Sequence, residues 1–117
     1  MVKLYLASES RNRQQALKLA RIPFTAIPAR INEKVITDAN IKRRVVKIAK
    51  AKVMAVKSKV KGLILGADGV NLQGKHILEK PQNRADAIRM LQIQSGKICS
   101  FLTGYYLLNT FTGKTYS

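Results

Sequence analysis

The sequence predicts a mixed α/β domain. Short segments with the alternating or continuous apolar pattern of strands are interspersed with longer segments whose apolar residues recur at helical spacing. The apolar fraction, 46% of 117 residues, is sufficient for the hydrophobic core of one domain. We therefore predict a single domain over residues 1–117 with the element order β-α-β-α-β-β-α-β-β.

The first elements are a strand, a helix and a second strand. Residues 2–7, VKLYLA, have a strand pattern. Either Ser8 or Ser10 can cap the following helix, which is predicted over 11–20. Residues 24–28, FTAIP, then predict a short strand that a proline closes.

A long helix is predicted after a loop over residues 29–37, with Thr37 or Asp38 as its cap. Its apolar positions are Ile41, Val45, Ile48, Ala49, Val53 and Val56. The opposite face is basic, and such a helix can bind a membrane or a partner. A helix packed on the core is the favoured alternative, because the apolar stripe is wide and lacks aromatic anchors. Gly62 is expected to end this helix.

The second half of the chain is predicted to contain a buried strand, a hairpin, a helix and two further strands. The buried strand covers 63–67, the hairpin pairs 70–72 with 76–78, the helix runs from a cap at Asn83 to Gly96, and the last strands flank a turn at 112–114. Because the sequence stops within an apparent strand, we expect that a C-terminal portion is lacking or that a partner chain completes the sheet.

The charge balance is strongly basic, with 22 Lys and Arg against 6 Asp and Glu. This balance favours anionic partners, although a solvated basic surface explains it equally well. No aromatic residue lies between Phe24 and Phe101, so nucleic acid is a less favoured partner than a nucleotide. The sequence has no apolar run that could cross a bilayer, no signal-peptide pattern and a single cysteine. We therefore expect a cytoplasmic protein without membrane contacts.

The turn after the first strand, Ser8 to Arg13, combines hydroxyls, free N–H groups at a helix start and arginines. Such a combination can bind an anion. The alternative is an ordinary capped helix with arginines in solvent. Lys52 and Lys80 are likewise either phosphate contacts or surface lysines.

Asp68 follows the most apolar run of the chain, LILGA, in a sequence with few carboxylates. A carboxylate at the end of a buried strand can hold a cation or accept a proton from water. Equally, Asp68 can be a turn residue that bonds its own backbone, with Gly69 assisting the turn.

Taken in order, these segments closely resemble the motifs of the Maf family. The matching pieces are LYLASESRNR with Ser8, Ser10 and Arg13, IPF at 22–24, Glu33, KAKV around Lys52, GAD at 66–68, KP at 80–81 and SGK at 95–97. The order and spacing hold along all 117 residues.

The resemblance implies a nucleoside triphosphate pyrophosphatase that needs a divalent metal, Mg²⁺ or Mn²⁺. Such enzymes cleave a non-standard or selected nucleotide between its α- and β-phosphates and release the monophosphate and pyrophosphate. The implied fold is similar to that of the inosine triphosphatases, a bent mixed sheet with flanking helices and a deep cleft between two lobes.

The resemblance also implies roles for individual residues. Asp68 corresponds to the general base, and Glu33 to a cleft carboxylate that reaches the substrate through the metal, so both are candidate metal ligands. The candidate substrate-binding residues are Ser8, Ser10, Arg13, Glu33, Lys52 and Lys80.

The chain departs from the family pattern at two selectivity positions and in its length. Asn12 stands where the family has an arginine, and Gly69 where it has a threonine, which leaves the preferred nucleotide open. Family members continue well beyond residue 117. The alternative hypothesis is therefore a truncated, inactive relative that binds nucleotides or nucleic acid, and a homodimer could cover the open sheet edge.

Overall fold

The computed structural model describes residues 2–73, 76–78, 83–94 and 100–117. In chain order the elements are β1 (Leu4–Ala7), α1 (Arg11–Leu19), β2 (Thr25–Ile27), a 3-10 helix (Glu33–Val35), α2 (Ile41–Val56), β3 (Leu63–Gln73), β4 (His76–Leu78), α3 (Arg84–Gln94), β5 (Ser100–Asn109) and β6 (Thr115–Tyr116). The predicted α/β class and the predicted order of helices and strands are confirmed.

The strands form one mixed sheet in the order β2-β1-β3-β5-β6, and β4 pairs with β3 beside this path. Strand β1 lies parallel to both β2 and β3, with Tyr5 opposite Thr25 and Ile64. The β3–β4 and β5–β6 pairs are antiparallel hairpin pairs. Parallel pairing around β1 follows from the helical crossovers α1 and α2, which return the chain in the same direction.

By its internal contacts the chain divides into two compact units. The first comprises Met1–Asp68 and Gly104–Ser117, and the second comprises Gly69–Thr103. The second unit contains the hairpin in which Asn71 pairs with Leu78, and helix α3.

The core of the first unit lies between α2 and the sheet. The buried stripe of α2 consists of Val45, Ile48, Ala49, Val53 and Val56. It packs with buried sheet residues that include Ala7, Ile64, Tyr106 and Leu108. The core-packed alternative for α2 is therefore correct. No helix within the described ranges is long and apolar enough to span a membrane.

The predicted N-terminal caps of α1 and α3 are confirmed, and the predicted cap of α2 is not. Ser10 Oγ accepts the Arg13 N–H and caps α1, and Asn83 Oδ1 accepts the Asp86 N–H before α3. The prediction of Thr37 or Asp38 as the cap of α2 was wrong, because Asn40 caps it. The carboxylate of Asp38 is instead occupied by the Asn40 N–H and by ion pairs.

The end of α2 and the length of β3 also differ from the predictions. Helix α2 ends at Val56, six residues before Gly62, and Val56 is its last buried position. Strand β3 continues through Gly69 to Gln73, so Asp68 lies within a strand and not at its end. The turn interpretation of Asp68 is thereby excluded.

Candidate functional site

Lys52 is the centre of the candidate site. Its side chain projects from α2 and is only 15% exposed. The ammonium Nζ donates to the carbonyl oxygen of Ala67 at 3.1 Å. It also lies 3.2 Å from Glu33 Oε1 and 3.9 Å from Asp68 Oδ1. One largely buried cation on α2 therefore contacts a carbonyl and a carboxylate of β3 and a carboxylate of the 3-10 helix.

The close approach of α2 to β3 makes these contacts geometrically feasible. A Cβ atom at Gly66 would collide with the backbone oxygen of Ala49 and lie 2.8 Å from the side chain of Val53. Only glycine leaves room for the helix backbone at this position. Asp68, two residues further along the strand, faces the same side of the sheet as Gly66 and therefore faces α2.

Glu33 belongs to the 3-10 helix, whose start is fixed by the Asn32 side chain accepting the Lys34 N–H at 3.2 Å. Its carboxylate is 47% exposed. Glu33 therefore contacts Lys52 from the solvent side of the cluster, whereas Asp68 contacts it from the interior.

The carboxylate of Asp68 is 14% exposed. Burial is the main influence on its pKa and raises it, because an ionised carboxylate loses solvation there. The neighbouring Lys52 opposes this shift, Glu33 adds to it through its like charge, and Arg13 and Arg44 oppose it. Asp68 is thus a carboxylate with raised proton affinity that is surrounded by cations.

Arg13, in the first turn of α1, lies near enough to Asp68 for its charge to lower the pKa of that carboxylate. The turn before it is held by serine oxygens, since Ser8 Oγ accepts the Ser10 N–H at 3.0 Å and Ser10 Oγ accepts the Arg13 N–H at 3.4 Å. Ser8 is buried. Each hydroxyl keeps its own O–H available for donation. The structure therefore brings Glu33, Lys52 and Asp68 together with the charge of Arg13 nearby, and the two serines position the turn before Arg13.

Arg44 is part of the electrostatic environment of Asp68, although it is not among the residues predicted from the sequence. Its Nε donates to the Ile36 carbonyl at 3.2 Å, and its charge lowers the pKa of Asp68. Arg44 precedes Lys52 by eight residues, which is a same-face spacing on a helix. This spacing is the signal by which the sequence could have identified it.

The remaining predicted residues contribute in different ways. Lys80 lies outside the described residues, as do the KP and SGK motifs at 80–81 and 95–97. Asn12 is exposed in the first turn of α1. Gly69 follows Asp68 in β3, and a Cβ atom at this position would lie 2.6 Å from the exposed ring of Phe101. The roles of all these residues remain predictions.

The donor set is compatible with a divalent cation that arrives with a phosphate ligand. Magnesium is commonly held by one or two carboxylates, with phosphate and water completing its coordination. Glu33 and Asp68, both close to Lys52 Nζ, supply two such carboxylates. Within the described ranges, no group of three or more His, Cys, Asp or Glu side chains could form a cage made by protein alone.

Comparisons with known proteins agree with the motif pattern. The family described as Maf-like protein matches residues 3–117. The chain is 34% identical over 114 residues to the 7-methyl-GTP pyrophosphatase of Vibrio vulnificus, covering 97% of this chain and 59% of that protein. It is 39% identical over 113 residues to the 7-methyl-GTP pyrophosphatase of Alcanivorax borkumensis, covering 96% and 57%. It is 37% identical over 119 residues to the dTTP/UTP pyrophosphatase of Thermosipho africanus, covering 97% and 61%.

The chain thus spans between half and two thirds of the length of these relatives. Over that span the family match and the identities run almost from end to end of the chain. The chain belongs to the Maf-like protein family.

Proposed function

We propose that this chain is a nucleoside triphosphate pyrophosphatase, which hydrolyses a nucleotide to its monophosphate and pyrophosphate. The observation that carries the proposal is the cluster in which Lys52 Nζ lies 3.2 Å from Glu33 and 3.9 Å from Asp68. The relatives named as pyrophosphatases support it, since they cover nearly the whole chain.

Binding of the triphosphate is assigned to the cations around Asp68. Arg13, Arg44 and Lys52 all act on the charge of Asp68. A triphosphate brings several negative charges, and preorganised cations in a partly desolvated site stabilise them more strongly than water does. Arginine forks fit phosphate oxygens in two-point contacts, and lysine provides a compact charge.

Activation of water is assigned to Asp68. A carboxylate whose pKa is raised by burial is a stronger base than one in solvent. Water attacks the α-phosphorus and gives a proton to Asp68. The bond from the α-phosphorus to the bridging oxygen breaks, and pyrophosphate leaves with that oxygen. Ser8 and Ser10 hold the turn that positions Arg13 for the phosphates.

Glu33 and Asp68 would hold the divalent metal, Mg²⁺ or Mn²⁺. When bound, such an ion neutralises phosphate charge during phosphoryl transfer. Lys52 connects the two carboxylates, and it is expected to turn toward a phosphate oxygen when the triphosphate binds.

The preferred nucleotide is a finer part of the proposal. Two of the relatives above are named for 7-methyl-GTP and one for dTTP and UTP. Asn12 and Gly69 are the selectivity positions that the resemblance implies, and both differ from the family pattern. We therefore propose that the substrate is a selected nucleotide, to be identified among 7-methyl-GTP, dTTP, UTP and the standard triphosphates.

Product analysis tests this function directly. The purified chain is incubated with each triphosphate and Mg²⁺ or Mn²⁺, and the products are followed by ³¹P NMR. We expect monophosphate and pyrophosphate in equal amounts from at least one nucleotide. Lys52→Met should reduce the rate by about 10²-fold or more, because a preorganised cation is lost. The matched control Lys42→Met, on the exposed face of α2, should react like the wild type.

Two outcomes would contradict the proposal. One is the absence of pyrophosphate with every nucleotide and both metals. If nucleotide still bound in that case, the inactive binding protein would be the better description. The other is a Lys52→Met variant that is folded and as fast as the Lys42→Met control.

A further inference from the structure

A second candidate binding site lies away from the Lys52 cluster, within the first compact unit. It is a pocket of about 560 Å³ between the segment that joins α2 to β3 and the turn that joins β5 to β6. Its lining residues are Lys57, Ser58, Lys59, Val60, Lys61, Leu108, Thr110, Phe111 and Gly113. Glu33, Lys52 and Asp68 do not line it.

The pocket is strongly basic. Lys57, Lys59 and Lys61 are exposed, and no acidic residue is among the lining residues. Within the part of the chain that the structure describes, these three lysines form no ion pair, whereas Lys47 and Lys52 do. Three uncompensated charges around one concave surface favour an anionic ligand.

An exposed aromatic ring borders the same pocket. Phe111 is 63% exposed. Its position in the β5–β6 turn is fixed by Asn109, whose Oδ1 accepts the N–H groups of Phe111 at 3.0 Å and Thr112 at 3.4 Å. The Gly113 N–H donates to the Asn109 carbonyl at 2.8 Å. The ring is therefore presented by a hydrogen-bonded turn.

Hydrogen bonds also join the two walls of the pocket. The Gly62 N–H donates to Thr110 Oγ1 at 2.8 Å, and the Thr110 N–H donates to the Gly62 carbonyl at 3.0 Å. The lysine segment and the aromatic turn are thus held in a fixed relation before any ligand binds. Such preorganisation lowers the entropy lost on binding.

We propose that this pocket binds a nucleotide unit, with its phosphate at the lysines and its base against the ring of Phe111. The volume lies within the roughly 300–1,000 Å³ that is usual for ligand pockets. Basic side chains that contact phosphate beside an aromatic face that stacks on a base are the combination that recognises single nucleotides and single strands. Local sequence patterns do not predict this combination, because Lys61 and Phe111 are 50 positions apart in the chain.

The choice of probe distinguishes a free nucleotide from a nucleotide within a single strand as the ligand of this pocket. The full chain, labelled with ¹⁵N, is titrated with inorganic phosphate, with adenosine 5′-monophosphate and with an oligoadenylate of eight residues. We expect the amides of Gly62 and of residues 110–114 to shift with one or both nucleotide probes, more strongly than with phosphate. A response to the monophosphate assigns a free nucleotide, and a response to the oligomer alone assigns a single strand.

Matched variants test the two halves of the pocket. Lys59→Gln with Lys61→Gln should weaken binding by roughly tenfold and reduce the salt dependence of oligomer binding by about one charge per lysine. Lys18→Gln with Lys42→Gln removes the same charge elsewhere and should have little effect. Phe111→Leu should weaken binding about fivefold or more through lost stacking. Phe101→Leu is its control, because that ring is also 63% exposed.

Three results would overturn the proposal. The first is that neither nucleotide probe shifts the amides at the pocket. The second is that the Lys59/Lys61 and Lys18/Lys42 double variants lose binding equally. The third is that Phe111→Leu binds with wild-type affinity and inorganic phosphate binds as tightly as the nucleotide probes. Pyrophosphate release should be unchanged in the pocket variants, and pocket binding should persist in Lys52→Met. The proposal for this pocket and the proposal for the Lys52 cluster can therefore be disproved independently.

Discussion

At the scale of single residues, the properties of Asp68 depend on its position within β3 and on Lys52. Partial burial reduces the solvation of its carboxylate, and this raises its pKa despite three nearby cations. A charged group in such a place is unfavourable for folding but useful for accepting a proton. The same residue should therefore affect stability and activity in opposite directions.

The stability of Asp68→Asn relative to the wild type should increase as the pH rises. The folded pKa lies above the ordinary value of 3.8, so folding is favoured while Asp68 is protonated. That contribution is complete below the unfolded pKa and is lost as the pH rises through the folded pKa. The difference in free energy of unfolding, variant minus wild type, should increase from about pH 3 to about pH 7. Urea unfolding at both pH values measures it, and a difference that decreases with pH would contradict the burial argument.

At the scale of elements, local signals decided some features and competition between neighbours decided others. Ser10 caps α1 because the following backbone N–H groups have no other partner. At α2 three candidate caps lie within four residues, and Asp38 is removed from the competition by Arg43 and Lys47. Its pKa falls to about 2, chiefly because it accepts the Asn40 N–H and pairs with Lys47. Sequence alone does not rank such competing partners.

The position of α2 over β3 should depend on Gly66. Gly66→Ala would press a methyl group on the Ala49 backbone, which cannot rotate away, and should reduce the free energy of unfolding by about 1–3 kcal/mol. Gly69→Ala also meets a neighbour, but this neighbour is the exposed ring of Phe101. A ring in solvent can change rotamer, so this control should stay within about 1 kcal/mol of the wild type.

Chemical denaturation of the two variants measures this contrast. Equal losses in both, or a larger loss in Gly69→Ala, would mean that the close approach of α2 does not limit this position.

At the scale of the whole molecule, the sequence predicted the fold class, the order of the elements and the excess of positive charge. It did not show where the charge remains uncompensated. The structure pairs Glu33 and Asp68 with Lys52, and Asp86 with Arg89. The 22 basic residues far outnumber the 6 acidic ones. The arrangement of Lys59, Lys61 and Phe111 around one pocket depends on long-range packing, which local patterns do not contain.

Residues of the candidate site could be predicted from the sequence where they form a contiguous motif. The turn from Ser8 to Arg13 and the GAD segment ending at Asp68 were identified as chemistry-bearing residues. The pairing of Asp68 with Lys52 required the close approach of α2 that Gly66 allows, and the turn lies near Asp68 because β1 and β3 are neighbouring strands. Asp68 was misplaced at a strand end because glycine at 69 suggests a turn in sequence, whereas here glycine continues the strand.

We propose that the partly buried Asp68, next to Lys52, is the base in the hydrolysis of a nucleoside triphosphate. The most direct measurement is the rate of pyrophosphate release by Asp68→Asn beside Asp86→Asn, which changes an acidic residue on α3 in the same way. Asp68→Asn should be folded and slower by about 10²–10⁴-fold, while Asp86→Asn should keep the wild-type rate. A folded Asp68→Asn variant that releases pyrophosphate as fast as Asp86→Asn would contradict it.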